Sequence, residues 1–298
     1  MLRNMEDNPS VSYQPQTTAD GSFTFFSDEF GEAFHSSHGA RLEAELKFIV
    51  PTQLAQKAVQ FAPAKIHILD ICYGLGYNTA VALETLWQAN PNCQIEWLGL
   101  ERDLIVPQNA ITHNFLEHWS TPVRDILQQL SSTQTCQTPQ LQAKLLIGDA
   151  RETLKQVYQQ GFLADAIFLD PFSPPHCPQL WTVEFLSLAS QCLKPDGRLA
   201  TYSCAASVRI ALMQAGLKIG STEPFGRRSP GTIASYTELD LSPLSQQEQE
   251  HLQTTAAIPY RDPQLNDPPE LILQRRRQEQ QASSLEPTTH WKKRWSTR

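Results

Sequence analysis

The sequence has no long hydrophobic run. Its 298 residues are 40% hydrophobic and 18% charged, and no stretch approaches the roughly 20 apolar residues that a membrane-spanning helix needs. The first 20 residues are polar and lack the basic and apolar regions of a signal peptide. We therefore expect a protein that does not contact the membrane.

Closely spaced cysteines are absent as well. The six cysteines lie at positions 72, 93, 136, 177, 192 and 204, and no two of them form a C-x-x-C motif. Neither a zinc site nor a disulfide framework is indicated. We expect no metal and, as the simplest location, a reducing cytoplasm.

An excess of positive charge is also missing. The net charge of −7 argues against indiscriminate nucleic-acid binding. The charge is uneven, however: residues 271–298 carry seven basic and two acidic side chains, a net charge of +5, which leaves −12 for the rest. Such a segment can bind phosphate or can be a solvated tail, and the sequence leaves both interpretations open.

The sequence does contain alternating strand and helix patterns, which are typical of a doubly wound, mostly parallel α/β sheet. Residues 61–243 hold this pattern and form one predicted domain. Residues 131–142, rich in Ser, Thr and Gln, are predicted to be a surface loop. Seven strands are predicted, at residues 66–69, 95–100, 144–147, 166–169, 198–202, 217–221 and 232–236.

The flanking segments have a different composition. Residues 1–20 are predicted to be disordered, and residues 21–60 are predicted to form a small N-terminal cap or lid. Residues 244–298 are rich in Gln and Pro with few apolar side chains. We expect them to form a polar, basic C-terminal tail rather than a second core.

The most informative stretch follows the first predicted strand of the sheet. That strand ends in Asp70, and Gly74 and Gly76 follow before a helical pattern over residues 78–89. A Rossmann-type sheet makes this turn after its first strand. Glycine lets the backbone approach a ligand closely, and the next helix presents its N-terminus to that ligand. The pattern predicts a site for a nucleotide-like small molecule.

Carboxylates end four of the predicted strands. They are Asp70, Glu101, Asp149 and Asp170. Because ligands of open α/β sheets bind outside the carboxyl ends of the strands, we expect all four at one edge. Each carboxylate taken alone is explained equally well as a helix cap or a solvated loop residue. Four carboxylates at equivalent positions are much less easily explained by chance.

The register D-x-C-x-G-x-G that begins at Asp70 is nearer to the methyltransferase pattern D/E-x-G-x-G-x-G than to the three-glycine dinucleotide motif. S-adenosylmethionine offers an ammonium group, a ribose diol and an adenine amine, all donors to carboxylates. We expect Asp70 to meet the ammonium, directly or through water. Glu101 would accept from the diol and Asp149 from the adenine amine, with the backbone near Ala150 reading the ring.

The fourth strand leads into a candidate reaction site, Asp170-Pro171-Phe172-Ser173. Some amino-methyltransferases carry a D/N-P-P-Y/F tetrad at this point. An aliphatic amine has a pKa of about 10 and must lose a proton before it attacks a methyl group. A carboxylate there can orient the nitrogen and assist proton loss, an effect of roughly 10²–10⁴-fold. The alternative is that Asp170 only caps a turn.

Further motifs accompany the glycine turn. They are D-G-S at 20–22, S-D-E-F-G-E at 27–32, F-H-S-S-H-G-A at 34–40, F-L-D-P-F-S-P at 168–174, C-P-Q-L-W-T at 177–182 and G-R-R at 226–228. Through them the sequence resembles the MnmC-like tRNA (5-aminomethyl-2-thiouridine) methyltransferases, in the stand-alone form without the fused FAD oxidase domain. The resemblance covers roughly residues 20–236. Two positions depart from the family pattern: Cys72 replaces a glycine, and Pro171 stands where members often have glycine.

The resemblance implies a Rossmann-like class I methyltransferase that uses S-adenosylmethionine to methylate the aminomethyl nitrogen of a tRNA wobble uridine. It implies tRNA, through its anticodon stem-loop, as the partner. No residue suggests FAD, so separate enzymes would act upstream.

The resemblance and the motifs together assign the site residues. Asp170 takes the catalytic position. The expected cofactor-binding residues are Asp70, Tyr73, Gly74, Gly76, Asn78, Glu101, Asp149 and Ala150. The expected substrate-binding residues are Phe172, His38 and Arg227.

Several alternatives remain open. His35 and His38 are three residues apart and could bind metal, but no third ligand lies nearby, so a lid loop over the substrate pocket is a better interpretation than a metal site. Ordinary surface or hydrogen-bonded histidines are the favoured interpretation. Arg227 could contact a tRNA phosphate or be an ordinary surface arginine. The rival enzyme is an aminopropyltransferase of the spermidine-synthase type, and the rival class is a non-catalytic protein that binds RNA or protein.

Overall fold

The computed structural model describes residues 14–60, 65–225, 229–238 and 240–296. These residues form one large sheet with helices on both faces and a small N-terminal sheet. The strands are β1 (Pro15–Thr17), β2 (Phe23–Ser27), β3 (Glu32–Ala33), β4 (Lys65–Ile71), β5 (Gln94–Glu101), β6 (Thr135–Gln137), β7 (Leu141–Ile147), β8 (Ala164–Leu169), β9 (Leu193–Thr201), β10 (Lys218–Ser221) and β11 (Thr232–Ser235).

Helices connect these strands. No described helix combines the length and the apolar character needed to cross a membrane. A π-helical turn, Glu45–Ile49, joins the first two helices, and short 3₁₀ turns cover Pro178–Trp181 and Thr255–Ala257. The helices are α1 (Ala40–Ala44), α2 (Val50–Thr52), α3 (Leu54–Gln60), α4 (Tyr77–Ala89), α5 (Ile105–Thr112), α6 (Thr121–Thr133), α7 (Ala150–Gln159), α8 (Val183–Gln191), α9 (Ala206–Gln214), α10 (Gln246–His251), α11 (Pro269–Ala282) and α12 (Thr288–Ser296).

The large sheet has the strand order β10-β11-β9-β8-β4-β5-β7-β6. Strands β7, β5, β4, β8 and β9 run parallel, whereas β6, β10 and β11 are antiparallel to their neighbours. The chain leaves β4 on one side for β5 and later returns on the other side for β8. This reversal of strand order opens a crevice at the carboxyl ends, where ligands of doubly wound sheets bind.

The prediction of a mostly parallel α/β sheet is confirmed. The sheet has eight strands in the described chain rather than the seven expected, because β6 lies in the segment predicted to be a loop. Helix α6 (residues 121–133) runs into the start of that segment. Strand β6 follows it and pairs with β7 as the edge of the sheet. Its central residue, Cys136, is buried, so the polar composition of the segment concealed a strand that is only three residues long.

Residues 14–20 include strand β1 and a turn, which differs from the disorder predicted for them, and the rest of that prediction, residues 1–13, lies outside the described residues. Strand β1 pairs with β2, and β2 pairs with β3. The Asp20 carboxylate accepts hydrogen bonds from Thr18, Ser22 and the backbone of Leu42. A short polar segment is thus ordered by pairing and by one carboxylate rather than by apolar burial.

The C-terminal segment is not the polar tail that composition predicts. It contains α10, α11 and α12, and its buried side chains Tyr260 and Ile272 belong to the apolar cluster on one face of the sheet. The Arg276 guanidinium stacks over the Tyr260 ring at 4.4 Å. The buried Arg209 of α9 lies 2.7 Å from Glu248 of α10. A few apolar anchors and several ion pairs hold the segment in place, a pattern that hydrophobicity alone does not reveal.

Candidate active site

A cavity of about 1170 Å³ lies at the carboxyl ends of the central strands. Its floor is formed by the turns that follow these strands. Residues 26–38, which comprise the end of β2, strand β3 and the loop after it, cover the cavity, and we call them the roof. The predicted site residues on the cavity wall are Gly74, Glu101, Asp149, Ala150, Asp170, Phe172 and His38.

The glycine turn after β4 brings backbone to the cavity wall. Gly74 has φ +58° and its amide donates to Glu101 Oε2 at 2.8 Å. Gly76 has φ +83° and precedes α4, and a Cβ atom there would lie 2.6 Å from the Tyr73 hydroxyl. Cys72 has φ +71°, a conformation that glycine adopts more easily. The turn therefore favours glycine at residue 74 for its left-handed backbone, and at residue 76 for both its backbone and the lack of space.

Four predicted cofactor residues do not line the cavity: Asp70, Tyr73, Gly76 and Asn78. Asp70 is fully buried and accepts a hydrogen bond of 2.6 Å from Thr79, while its Oδ1 has no partner among the described residues. Burial, opposed by this hydrogen bond, raises the pKa of Asp70 to about 7. Tyr73 packs edge-on against Trp97 beneath the turn. The expected contact of Asp70 with the cofactor would therefore need a water molecule or movement of the turn.

Glu101 ends β5 and links two turns. Its Oε1 accepts from the Asp103 amide at 2.9 Å and its Oε2 from the Gly74 amide. Burial raises the pKa of Glu101, although these backbone hydrogen bonds favour the charged form. Each carboxylate oxygen has a further lone pair, so Glu101 can still accept from a ligand hydroxyl. Its role as the acceptor for a ribose diol stays a prediction.

Asp149 ends β7 and caps α7 by accepting from the Arg151 amide at 2.9 Å. The Arg151 guanidinium also contacts this carboxylate, with Nη2 2.7 Å from Oδ2. Burial opposes ionisation, but the hydrogen bonds from Arg151 lower the pKa of Asp149 below its ordinary value. Arg151 in turn donates to Asp262 Oδ2 at 3.0 Å and to the Asp267 carbonyl at 2.9 Å. The C-terminal segment thus holds the arginine that orients Asp149, and the sequence analysis had no signal for this contact.

Asp170 stands on the cavity wall just after β8. Its backbone amide donates to the Ile71 carbonyl at 3.1 Å, and Asn78 donates to its Oδ2 at 2.9 Å. Burial, and then the nearby Glu43 carboxylate, raise the pKa of Asp170 well above its ordinary range. Asn78, expected to bind cofactor, therefore contacts the predicted catalytic residue instead. A carboxylate whose pKa is raised is a stronger base, and its position on the cavity wall lets it accept a proton from a bound ligand.

The loop after Asp170 is held by side chains of the core. Tyr202 donates to the Pro171 carbonyl at 2.9 Å, and Trp181 donates to the Phe172 carbonyl at 2.8 Å. The Phe172 ring stacks on Phe30 of the roof with ring centroids 4.3 Å apart. The aromatic ring predicted to contact substrate is thus on the wall and its backbone is fixed.

The two roof histidines line the cavity without forming a metal site. His38 is exposed and its Nδ1 lies 3.1 Å from Ser36 Oγ. Burial lowers the pKa of His35 to about 4, so that its imidazole is neutral at pH 7. No group of three or more potential metal ligands occurs in the described parts of the chain. Arg227 lies outside the described residues.

Several polar residues of the cavity were not predicted from the sequence. Glu43 accepts from the Ser36 amide at 2.8 Å, and the buried Lys47 donates to the Glu223 carbonyl at 3.2 Å. Glu32 and Arg102 also line the cavity. Glu32 falls within a motif shared with the resembled family, which was the one available signal for it.

The donor and acceptor set fits S-adenosylmethionine. Strand-end carboxylates, Glu101 and Asp149, can accept from hydroxyl and amine groups, and Gly74 leaves backbone exposed on the wall between them. The cavity contains more acidic than basic side chains, as a site for a sulfonium cofactor requires.

Comparison with known proteins identifies relatives that are methyltransferases. Residues 112–237 match a protein family described as S-adenosyl-L-methionine-dependent methyltransferase. The solved structure of MnmC2 from Aquifex aeolicus is 35% identical and superimposes with a TM-score of 0.80, covering 93% of this chain and 88% of that one. An uncharacterized protein of Methanocaldococcus jannaschii is 28% identical over 87% of this chain and 70% of its own length.

A longer relative is the bifunctional protein MnmC of Acidovorax sp., which is named for tRNA 5-methylaminomethyl-2-thiouridine biosynthesis. It is 28% identical over 66% of this chain, which spans only 31% of the length of that relative. The fold class and the S-adenosylmethionine cofactor expected from the sequence are confirmed by these matches. With 35% identity over 88% of MnmC2, this chain belongs to the MnmC2 family of S-adenosyl-L-methionine-dependent methyltransferases.

Proposed function

We propose that this protein transfers a methyl group from S-adenosylmethionine to the aminomethyl nitrogen of a tRNA wobble uridine. The substrate would be 5-aminomethyl-2-thiouridine and the product its methylaminomethyl form. The observation that carries the proposal is the position of Asp170, a carboxylate with a raised pKa on the wall of the cavity. The names of the relatives support the choice of tRNA and of this nucleoside.

The proposed chemistry needs a neutral amine. An aliphatic ammonium has a pKa of about 10, so most of the substrate arrives protonated at pH 7. Asp170 would accept that proton and keep the nitrogen oriented, while Asn78 holds one carboxylate oxygen in place. The cofactor supplies an electrophilic methyl group on a sulfonium. Holding both reactants in line supplies much of the remaining rate enhancement.

The other wall residues would divide between the two ligands. Glu101 and Asp149 would accept from the ribose and the adenine, with the backbone of Gly74 and Ala150 close by. Phe172 and His38 would contact the uracil base or its neighbours. This division follows the order of the strands, because β5 and β7 lie on one side of β4 and β8 lies on the other.

The surroundings of Asp170 fit a cationic nucleoside rather than a phosphate. Glu32 and Glu43 line the same cavity, and like charges at this point would repel a polyanion while favouring an ammonium. The tRNA would therefore present a single flipped-out nucleoside of its anticodon stem-loop to the cavity. Separate enzymes in the same cytoplasm would supply the aminomethyl group.

The decisive experiment incubates the protein with S-adenosylmethionine and tRNA that carries 5-aminomethyl-2-thiouridine, followed by mass spectrometry of the nucleosides. We expect methylaminomethyl product with the wild type. Asp170→Asn should bind cofactor yet lose most of kcat, and Asp125→Asn, on the exposed face of α6, should retain it. A parallel reaction with decarboxylated S-adenosylmethionine tests the aminopropyltransferase alternative. An aminopropyl product, or full activity of Asp170→Asn, would refute the proposal.

A further inference from the structure

The roof is tied to the rest of the protein by a small number of polar contacts. Glu29 forms a paired salt bridge with Arg102, just after β5, and one of its hydrogen bonds measures 2.8 Å. Glu32 contacts Ser173, in the loop that follows Asp170. The two glutamates are three residues apart in the chain but contact opposite sides of the cavity. One contact reaches the cofactor side and the other reaches the side of the predicted acceptor.

The contact with Ser173 uses both oxygens of Glu32. Oε2 accepts from the Ser173 backbone amide at 2.9 Å, and Oε1 accepts from the Ser173 hydroxyl at 2.5 Å. Hydrogen bonds to a charged acceptor are about twice as strong as neutral ones. Glu32 therefore fixes both the backbone and the side chain of Ser173.

This contact completes the set that holds the loop. The carbonyl of Pro171 is held by Tyr202 and that of Phe172 by Trp181, both from the core. The next polar backbone group, the amide of Ser173, is held by the roof. Three consecutive residues after Asp170 are thus each held by one side chain, and Glu32 supplies the only one of these three that does not come from the core.

We propose that Glu32 is a positioning residue, which places the loop that carries Asp170 by holding Ser173 and thereby makes catalysis depend on the roof. The inference rests on the proposed function, because it takes Asp170 as the catalytic residue. Glu32 acts through Ser173 and need not touch either substrate. Displacement of a reacting group by about 1 Å can lower the rate by about 10²-fold, so loss of this contact should reduce kcat far more than it reduces cofactor affinity.

The test compares Glu32→Ala, Glu32→Gln and Ser173→Ala. We expect Glu32→Ala to lower kcat by about 10- to 100-fold with the dissociation constant for S-adenosylmethionine within about threefold. Glu32→Gln keeps one acceptor oxygen and should recover part of the loss. Ser173→Ala added to Glu32→Ala should cause little further loss of kcat, because Glu32→Ala has already removed the partner of the Ser173 hydroxyl.

Two controls separate positioning from stability. Glu84 also receives a backbone amide (Ser120) and a side-chain donor (Arg41) from other segments, but does not line the cavity. Glu84→Ala should lower the melting temperature as much as Glu32→Ala does, with kcat preserved. His176→Gln tests the imidazole that lies 3.5 Å from Glu32 Oε1 and also contacts the Phe30 carbonyl of the roof; it leaves both hydrogen bonds from Ser173 to Glu32 in place and should lower kcat less than Glu32→Ala does.

The possible failures are distinguishable. If Asp170→Asn is inactive while Glu32→Ala keeps the kcat of the wild type, with or without a raised KM, the positioning role is wrong and the proposed function stands. If Asp170→Asn is fully active, the proposed function fails. Hydrogen exchange of the peptide that spans residues 170–174 gives a readout independent of substrate. Faster exchange in Glu32→Ala supports the inference, and unchanged exchange overturns it.

Discussion

Asp70 and Asp170 end or follow adjacent parallel strands, yet they occupy different environments. Asp170 reaches the cavity and is held by Asn78, whereas Asp70 is sealed behind the glycine turn and is held by Thr79. Both carboxylates have a raised pKa because burial disfavours the charged form. Only the one on the cavity wall is placed to exchange a proton with a substrate, so exposure to the cavity supports the role proposed for Asp170.

The pH dependence of catalysis should depend on the charge of the Glu43 carboxylate, which raises the pKa of Asp170. Asp170 must be ionised to accept a proton, so kcat/KM should rise with pH through its pKa. Glu43→Gln removes a like charge that raises this pKa, and the rising limb should therefore move to lower pH. The pKa of the free substrate amine contributes to the same profile but cannot change with the enzyme. A pH profile that is identical in wild type and Glu43→Gln would contradict this assignment.

Asp70 should make stability depend on pH. Its pKa rises from 3.8 to about 7 in the folded protein, so the folded state holds a proton that the unfolded state releases. The stabilisation from the protonated carboxyl is present below the unfolded pKa and is lost as pH rises toward about 7. Asp70→Asn has no such proton to lose.

The measurement is the melting temperature of both proteins, without cofactor, at about pH 5 and about pH 8. We expect the wild type to lose more stability than Asp70→Asn over this interval. Equal losses in the two proteins would show that Asp70 does not titrate there.

The elements with apolar strand patterns were the ones that the sequence predicted well. Strands β4, β5, β7 and β8 each contain a short apolar segment, and β8 is buried over its whole length. By contrast, β6 and the helices after residue 244 owe their order to partners elsewhere in the chain. A three-residue edge strand and a helix with one buried side chain, such as α11, carry too little periodicity to be identified.

The glycine turn offers a test at the scale of one element. Gly76→Ala should destabilise the protein in two ways, by the left-handed backbone and by the clash with the Tyr73 hydroxyl at 2.6 Å. Gly216→Ala is a matched control, because φ is +87° and no atom lies within 4 Å of the added Cβ. We expect a loss of about 1–2 kcal/mol for Gly216→Ala and a clearly larger one for Gly76→Ala in urea unfolding. Equal losses would mean that the space above Tyr73 is unimportant.

At the scale of the whole molecule, the C-terminal segment is joined to the cofactor side of the cavity. Pro269 and Glu270, at the start of α11, lie on the cavity wall. Much of the positive charge of this segment is used internally: Arg275 pairs with Asp267, and Arg294 pairs with Glu250 and Glu286. Removal of the whole segment would therefore damage the fold, and point substitutions are the better probes of its role.

Cofactor affinity should depend on this segment through Arg151. Asp262→Asn weakens the ion pair of 3.0 Å that holds Arg151, so the orientation of Asp149 should be less well fixed. We expect S-adenosylmethionine to bind about 10- to 30-fold more weakly by calorimetry, which corresponds to about 1.5–2 kcal/mol, the lower part of the range for a hydrogen bond to a charged group. Arg294→Gln breaks the ion pairs with Glu250 and Glu286 in the same segment and leaves the contacts of Arg151 intact, so it should lower stability alone. An unchanged affinity in Asp262→Asn would separate the C-terminal segment from the cofactor site.

The sequence by itself determined the parallel sheet, the edge at which ligands bind and the residues that end its strands. It could do so because an apolar run followed by a polar turn is a local pattern, and because the carboxyl ends of parallel strands meet at one edge. Asp170, Glu101 and Asp149 were found in this way. The same local reasoning placed Asp70 in the site, although the glycine turn hides it.

Only the tertiary structure decided which residues form the hydrogen bonds that hold the predicted site residues and the loop after Asp170. Asn78 and Asp170 are 92 residues apart in the chain, Arg151 and Asp262 are 111 apart, and Glu32 and Ser173 are 141 apart. No periodicity or spacing in a single sequence encodes such pairs, since each depends on how separate elements pack. The strand ends are local properties of the chain, whereas the hydrogen bonds that orient their carboxylates arise only when distant segments fold together.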